Sequence, residues 1–278
     1  MRGQAGRKNG GRRPFRRGDR ESRGGDFAPV QGEWIYGRRP VYEVLVSGRR
    51  KMFEVLLPPE GHDARDVAAI RDEVKRRGLP CRTADRDLLD QICNGGNHQG
   101  VAIRTGGFPY IAFEDILEGL ESRPQATILL LDHIEDPQNV GSLMRTADAA
   151  GVTAVVLPED RSAEVTAAAV RASAGATEHL RVAKVVNLTR AMEALKEREV
   201  WITGLDMDES ARPYTEIDFS GRVGLVVGSE GEGLSRLVRE TCDFIAFLPM
   251  LGGVSSLNAG VAGGIAMYEI VRQRGVKR

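Results

Sequence analysis

The chain reads as α/β, with a mostly parallel sheet in its C-terminal part and a smaller α/β unit ahead of it. Three observations predict this. Strand and helix patterns alternate from about residue 113 to the end, an arrangement that places helices on both faces of a parallel sheet. The strand segments there are continuous apolar runs, such as Thr127-Ile128-Leu129-Leu130-Leu131, as a sheet buried on both faces requires. A stretch with Gly106, Gly107 and Pro109 separates this region from a shorter run of the same kind. At 278 residues and 41% hydrophobic content, the chain can hold two domains with their own cores.

The boundaries expected are a basic Arg/Gly tail at 1–32, a small domain at 33–105, a linker at 106–111 and the main domain at 112–278. The first 26 residues hold nine Lys/Arg, three Asp/Glu and seven glycines, with only Met1, Ala5 and Phe15 apolar. Such a segment cannot build a core and is expected to be disordered. Lys/Arg and Asp/Glu number 39 each over the whole chain, so the remainder carries 30 basic and 36 acidic residues. A tail of this kind suits phosphate backbones. It lacks the apolar core of a signal peptide. No later run reaches the roughly 18 apolar residues of a membrane span. Cys81, Cys93 and Cys242 are isolated thiols, which points to a reducing, cytoplasmic setting and not to a disulfide framework. His62, His98, His133 and His179 are scattered, so no metal site is expected.

The small domain opens with Trp34-Ile35-Tyr36-Gly37. A short helix follows at 40–46, then a strand at 52–57 ended by Pro58-Pro59. Val67, Ile70 and Val74 at helical spacing predict a helix over 63–77, with Gly78 beyond its end. A strand at 81–83, a helix at 86–92 and a strand at 101–103 complete the unit. The loop between the last two, Asn94-Gly95-Gly96-Asn97-His98-Gln99-Gly100, is its most distinctive feature. Its composition favours a Gly/Asn turn over a substrate-touching edge.

In the main domain the patterns predict a helix at 113–120 and strands at 127–131 and 153–157. A helix at 163–173, a strand at 180–185 and a helix at 188–197 follow. Then come strands at 200–204 and 222–227, a helix at 233–240 and a strand at 243–248. Pro249 stops that last strand, because it cannot donate to a ladder. Gly252 and Gly253 open a loop, and Ser255 or Ser256 is the expected cap of a final helix running to about 273. Leu257, Val261, Ile265 and Tyr268 would be its core face. Gly260, Gly263 and Gly264 lie in the same helix, each costing about 1 kcal/mol relative to Ala. They point to another backbone or a ligand coming very close.

Three segments have the composition of a site. In the first, Asp136-Pro137 starts a helix with Asp as cap and Pro in the first turn. Val140, Leu143, Met144 and Ala147 would be buried, leaving Arg145 off that face with Gly141 making space beside it. Arg145 is either a surface partner of Asp148 or a cation at the carboxyl end of a parallel sheet, where ligands bind in such folds. In the second, Val227-Gly228-Ser229-Glu230-Gly231-Glu232-Gly233 carries a strand into a glycine-rich turn. The spacing is not that of a dinucleotide fold, and Glu230 and Glu232 would repel a pyrophosphate. A cationic ligand with hydroxyl groups suits the turn better. In the third, Ser256 and Asn258 offer a hydroxyl and an amide at the start of the final helix.

The stretches DPQNVGSLMRTADAAG, VVGSEGEGLS and LPMLGGVSSLNAGVA resemble, in that order, the three motifs of the SpoU (TrmH) family of RNA ribose 2′-O-methyltransferases of the SPOUT class. GNHQGVA resembles the substrate-binding domain of its RlmB-like, 23S rRNA (guanosine-2′-O)-methyltransferase subgroup. The resemblance covers about residues 33–274. It implies a C-terminal domain with a deep trefoil knot that binds S-adenosylmethionine, an L30e-like small domain and a homodimer acting on rRNA. It further implies Gly228, Leu248 and Leu257 against the cofactor, with Met250 and Glu230 nearby. Asn139, Arg145, Ser256 and Asn258 would form the reaction site. Arg145 would act either as base or as a holder of phosphate and developing alkoxide. Ala259 and Gly260 stand where the family usually has Val and Ser. Three readings compete with this one. A tRNA guanosine methylase shares the motifs, and an RNA-binding or ribosome-assembly protein could keep the fold without catalysis. A nucleotide-dependent oxidoreductase is disfavoured by the glycine spacing.

Overall fold

The computed structural model describes residues 32–61 and 65–275. The expected basic tail lies outside the described residues except for Gly32, as do His62 and the expected helix start at 63.

The small sheet is built from β1 (Glu33–Tyr36), β2 (Met52–Leu57), β3 (Cys81–Thr83) and β4 (Ala102–Thr105), in the order β1-β4-β2-β3. β4 runs antiparallel to β1 and β2, and β3 parallel to β2. Its helices are α1 (Arg38–Ser47), α2 (Arg65–Arg77) and α3 (Arg86–Ile92). Val67, Ile70 and Val74 are the buried residues of α2, as their spacing predicts. Asp85 caps α3 by accepting from the Leu88 amide at 2.9 Å.

The main domain runs α4 (Phe113–Gly119), β5 (Thr127–Asp132), α5 (Pro137–Ala149), β6 (Ala154–Pro158), α6 (Ala167–Ala172), a 3-10 turn (Ala176–Glu178) and β7 (Val182–Val185). It continues with α7 (Leu188–Lys196), β8 (Val200–Leu205), β9 (Arg212–Pro213), β10 (Arg222–Gly228), α8 (Arg236–Thr241), β11 (Phe244–Phe247) and α9 (Ala259–Arg274). The seven strands lie in the order β7-β6-β5-β10-β8-β11-β9, and every pairing is parallel. β5 is buried along its whole length, as a central strand covered on both faces must be. All strands point the same way, so their carboxyl ends gather the loops after β5, β8, β10 and β11.

The small sheet and the main domain share apolar core. Ile35, Val41, Val44 and Leu45 belong to the same buried cluster as Leu129, Leu131, Val140 and Leu143. An ion-pair network runs through this junction. The Arg50 guanidinium is fully buried and donates to both oxygens of Glu178 at 2.9–3.1 Å and to Glu33 Oε1 at 2.5 Å. The other oxygen of Glu33 accepts from the Ala167 amide, the first residue of α6, at 3.0 Å. Thr166, the residue placed to cap α6, makes no cap bond and its buried hydroxyl has no partner. β1 therefore caps α6 across the junction.

Several expectations are corrected. α9 begins at Ala259, with Asn258 as its cap, and Ser255 and Ser256 stay in the loop. Its buried residues are Ala259, Gly260, Gly263, Ala266, Met267, Glu269 and Ile270, whereas Leu257, Val261 and Tyr268 are exposed and Ile265 is half-buried. The glycines decide this. A Cβ on Gly260 would lie 2.9 Å from Ser142 Oγ, and one on Gly263 would lie 2.4 Å from Leu143 Cδ2. The helix thus packs Gly260 and Gly263 on α5, and Val261 and Tyr268 turn outward. α6 is shorter than the expected 163–173, and the glycine turn delays α8 from the expected 233 to Arg236. β9, with two residues, was too short to leave a pattern. No helix among the described residues is long and apolar enough to cross a membrane.

Candidate active site

β10 runs out at Gly228 into a turn closed by the Gly233 amide on the Ser229 carbonyl at 3.1 Å. Gly231 and Gly233 have φ of 90° and 68°, which favours residues without a Cβ. A Cβ on Gly228 would lie 2.2 Å from the Gly233 carbonyl oxygen, so the backbone folds directly over this position. Two carboxylates at strand ends hold the exit of the turn. Asp132, fully buried at the end of β5, accepts from the Ser235 amide at 2.7 Å and pairs with the His133 ring. Asp206, just beyond β8, accepts from the Leu234 amide at 3.2 Å and from Arg239 at 2.5–2.9 Å. Both were missed in the sequence. The signal available was a carboxylate directly after an apolar strand.

Beside the turn lies a cavity of about 590 Å3. Its apolar walls include Leu205, Val227, Phe247 and Leu248, and its acidic groups are Asp206, Glu230 and Glu232. All five residues expected at the cofactor, Gly228, Glu230, Leu248, Met250 and Leu257, line this cavity. Ser256 and Asn258 line it too. Burial, with help from Asp243, pushes the nearby Cys242 thiol up to about 12, leaving it protonated and inert.

Asn258 joins the three segments. Its Oδ1 accepts from the Val261 amide at 3.3 Å, capping α9. Its Nδ2 donates to Asn139 Oδ1 at 2.8 Å and to Glu230 Oε1. Asn139 is buried in the first turn of α5, and Asp136 caps that helix by accepting from the Gln138 amide at 2.9 Å. Neither Asn139 nor Arg145 lines the cavity; Asn139 reaches its rim through Asn258.

Arg145 is exposed and makes no ion pair or hydrogen bond among the described residues, so the pairing with Asp148 does not form. Gly141 does not make room for it. A Cβ there would lie 2.4 Å from Ala172 Cβ and 2.6 Å from the Ala169 carbonyl, so the glycine admits α6 against α5. Among the described residues no cluster of three or more His, Cys, Asp or Glu is placed to hold a metal ion. The arrangement is an acidic, partly apolar cavity with a polar rim and one uncommitted guanidinium on the adjoining helix.

Comparison with known proteins gives two family matches. Residues 126–268 match the SpoU rRNA Methylase family, and residues 34–110 match the RNA 2′-O ribose methyltransferase substrate-binding family. The chain is 40% identical over 246 residues to the Bacillus subtilis protein YacO, named as a TrmH family tRNA/rRNA methyltransferase, covering 88% of this chain and 97% of that one. It is also 40% identical to the 23S rRNA (guanosine-2′-O-)-methyltransferase RlmB of Xanthomonas campestris, covering 88% and 98%. Among solved structures, the SpoU methyltransferase AviRb of Streptomyces viridochromogenes in complex with AdoMet superposes with a TM-score of 0.73 at 25% identity, covering 89% and 92%.

Proposed function

The chain belongs to the SpoU rRNA methylase family, and on that premise we propose that it transfers a methyl group from S-adenosylmethionine to a ribose 2′-oxygen of RNA, with a guanosine of 23S rRNA as the target. The observation that carries the reading is the Asn139–Asn258–Glu230 set at the mouth of the acidic cavity, with Arg145 on the same helix as Asn139 and unpaired among the described residues.

The cavity fits the cofactor. Its volume lies within the roughly 300–1,000 Å3 of small-molecule sites. Its carboxylates suit a cation with hydroxyl groups, and Gly228 leaves room only for backbone. Gly228, Leu248 and Leu257 would hold the cofactor, with Met250 and Glu230 nearby. When bound, it supplies an electrophilic sulfonium methyl. The protein's share is to orient the ribose and to stabilise charge on its oxygen as the hydroxyl proton passes to water at the cavity mouth. Ser256 and Asn258 offer a hydroxyl and an amide for orientation. An arginine ordinarily keeps its proton near neutral pH, so Arg145 is better suited to hold the neighbouring phosphate and the developing alkoxide than to act as base. Positioning then supplies much of the rate.

The same reading divides the chain into a basic tail at 1–32, an RNA-binding, L30e-like domain at 33–105, a linker at 106–111 and a catalytic domain at 112–278. It makes the catalytic domain a trefoil knot, a threading supported by the insertion of β10 and β11 between earlier strands. It makes the protein a cytoplasmic homodimer, supported by the outward apolar residues Val261 and Tyr268 of α9. A tRNA target is the second reading, favoured by the name of the Bacillus relative. Mapping 2′-O-methyl groups in rRNA and tRNA from a strain lacking the protein tests both. Loss of one 23S guanosine methylation supports the proposal, and unchanged rRNA overturns it.

A further inference from the structure

A second hollow, of about 930 Å3, lies on the small domain between the start of α1, the start of α2 and the loop at Gln99. It is lined by Arg38, Arg39, Tyr42, Arg65, Asp66 and Gln99. Three guanidiniums face one carboxylate, in a chain whose net charge is zero. Most of their donors are uncommitted. Arg65 is exposed and makes no hydrogen bond or ion pair among the described residues. Arg39 uses its Nε on Glu43 at 2.7 Å. Arg38 uses its Nε on the Gln99 carbonyl at 3.2 Å, which leaves its outer nitrogens free.

The loop is built to hold this arrangement. Gln99 is a non-glycine residue at φ 53°, a conformation that L side chains rarely adopt. It is kept there from both sides. Its side-chain Oε1 accepts from the Arg38 amide at 3.0 Å, which leaves the side-chain NH2 as a free donor. Next to it His98 is buried, with Nδ1 accepting from the Gly100 amide at 3.0 Å and Nε2 on Asp90 at 3.1 Å. The loop is thus a turn, as its composition suggests, and also the fixed wall of a basic hollow. Guanidinium forks match phosphate oxygens, and an amide donor beside them can reach a sugar or base acceptor.

We propose that Arg38, Arg39 and Arg65, with Gln99, form a phosphate-backbone contact for the RNA substrate, separate from the reaction site and setting affinity, not chemistry. The inference rests on the RNA-methyltransferase reading. Arg65 is the clean probe, because it is exposed and unpartnered among the described residues, so its removal leaves the fold intact. Filter binding of an unmethylated 23S rRNA transcript over a KCl series gives the salt slope of log K for the parent, Arg65→Ala and Arg65→Glu. Arg198→Ala, at the amino end of the main sheet, serves as a control of equal charge change. The Arg65→Ala slope should fall by about 0.7–0.9, the value of one phosphate contact. Arg65→Glu should weaken binding further, and Arg198→Ala should leave the slope alone. Gln99→Ala should weaken binding without changing the slope. Single-turnover methylation at saturating RNA should match the parent for Arg65→Ala, at a raised half-saturating RNA concentration. An unchanged slope for Arg65→Ala, or an equal fall for Arg198→Ala, overturns the proposal. A parent protein that methylates no RNA at all overturns the function and not the contact.

Discussion

Arg50 and Arg145 carry the same group to opposite fates. Arg50 sits at the junction between the small sheet and the main domain, fully buried, its guanidinium shared between Glu178 and Glu33 and lying 5.1 Å from the centre of the Phe108 ring. Arg145 stands on α5, the helix that carries Asn139, exposed and without a partner among the described residues. A buried charge survives only when paired, so the first is structural by necessity. A guanidinium with no partner among the described residues, on the helix whose Asn139 bonds the cavity residue Asn258, is available to a ligand. The guanidinium at the junction is paired, and the one on α5 has no partner among the described residues.

The contrast is broken most severely at the junction. Arg50→Ala leaves Glu178 buried without a counter-charge and should cost about 3–5 kcal/mol, read as a fall in denaturation midpoint. Arg145→Ala should change stability by no more than about 0.5 kcal/mol. Equal losses for the two would mean that the distinction is false.

The platform under the site gives a second, smaller comparison. Gly263→Ala would drive a methyl to 2.4 Å from Leu143 Cδ2 and should destabilise by about 1–3 kcal/mol. Gly264→Ala, one residue on, meets Thr146 Cγ2 at 3.6 Å, an ordinary contact, and should stabilise by up to about 1 kcal/mol. Thermal denaturation of both variants checks the opposite signs.

The smallest effect belongs to a surface cluster that resembles the junction only in composition. On α2, a hydrogen bond from Arg76, opposed by burial and aided by Arg77, holds the Glu73 carboxyl down to about 2 from its usual 4.5. A carboxyl depressed in the folded state contributes stability above its unfolded value, and that contribution disappears as pH falls through the folded one. The window is therefore about 4.5 down to 2. Both arginines reach solvent, so screening keeps the gain under about 1 kcal/mol. Glu73→Gln should flatten the acid limb of a stability–pH curve in that window and lower neutral stability by the same amount, under about 1 kcal/mol.

Much of the fold was legible because its signals are local. The apolar run ending at Leu131, the Asp136-Pro137 helix start and the α2 spacing each declare an element within a few residues. The five cavity residues were legible through their motifs. What was not legible depends on partners distant in the chain. Serines at 255 and 256 look as much like caps as Asn258 does. Only Asn139 and Glu230, brought in by folding, select Asn258. Val261 and Tyr268 have core spacing, yet the glycine stripe chooses the face that meets α5. Arg50 and Glu178 are 128 positions apart, and nothing near either residue announces the other.

On the proposed function, Arg145 serves the reaction and neither the fold nor the cofactor. Single-turnover methyl transfer to RNA by Arg145→Ala, at saturating S-adenosylmethionine and with cofactor affinity measured by calorimetry, tests it most directly. The expected rate is at least about a hundredfold below the parent, with cofactor affinity nearly unchanged and Arg145→Lys almost as slow. Turnover by the Ala variant at the parent rate would contradict it.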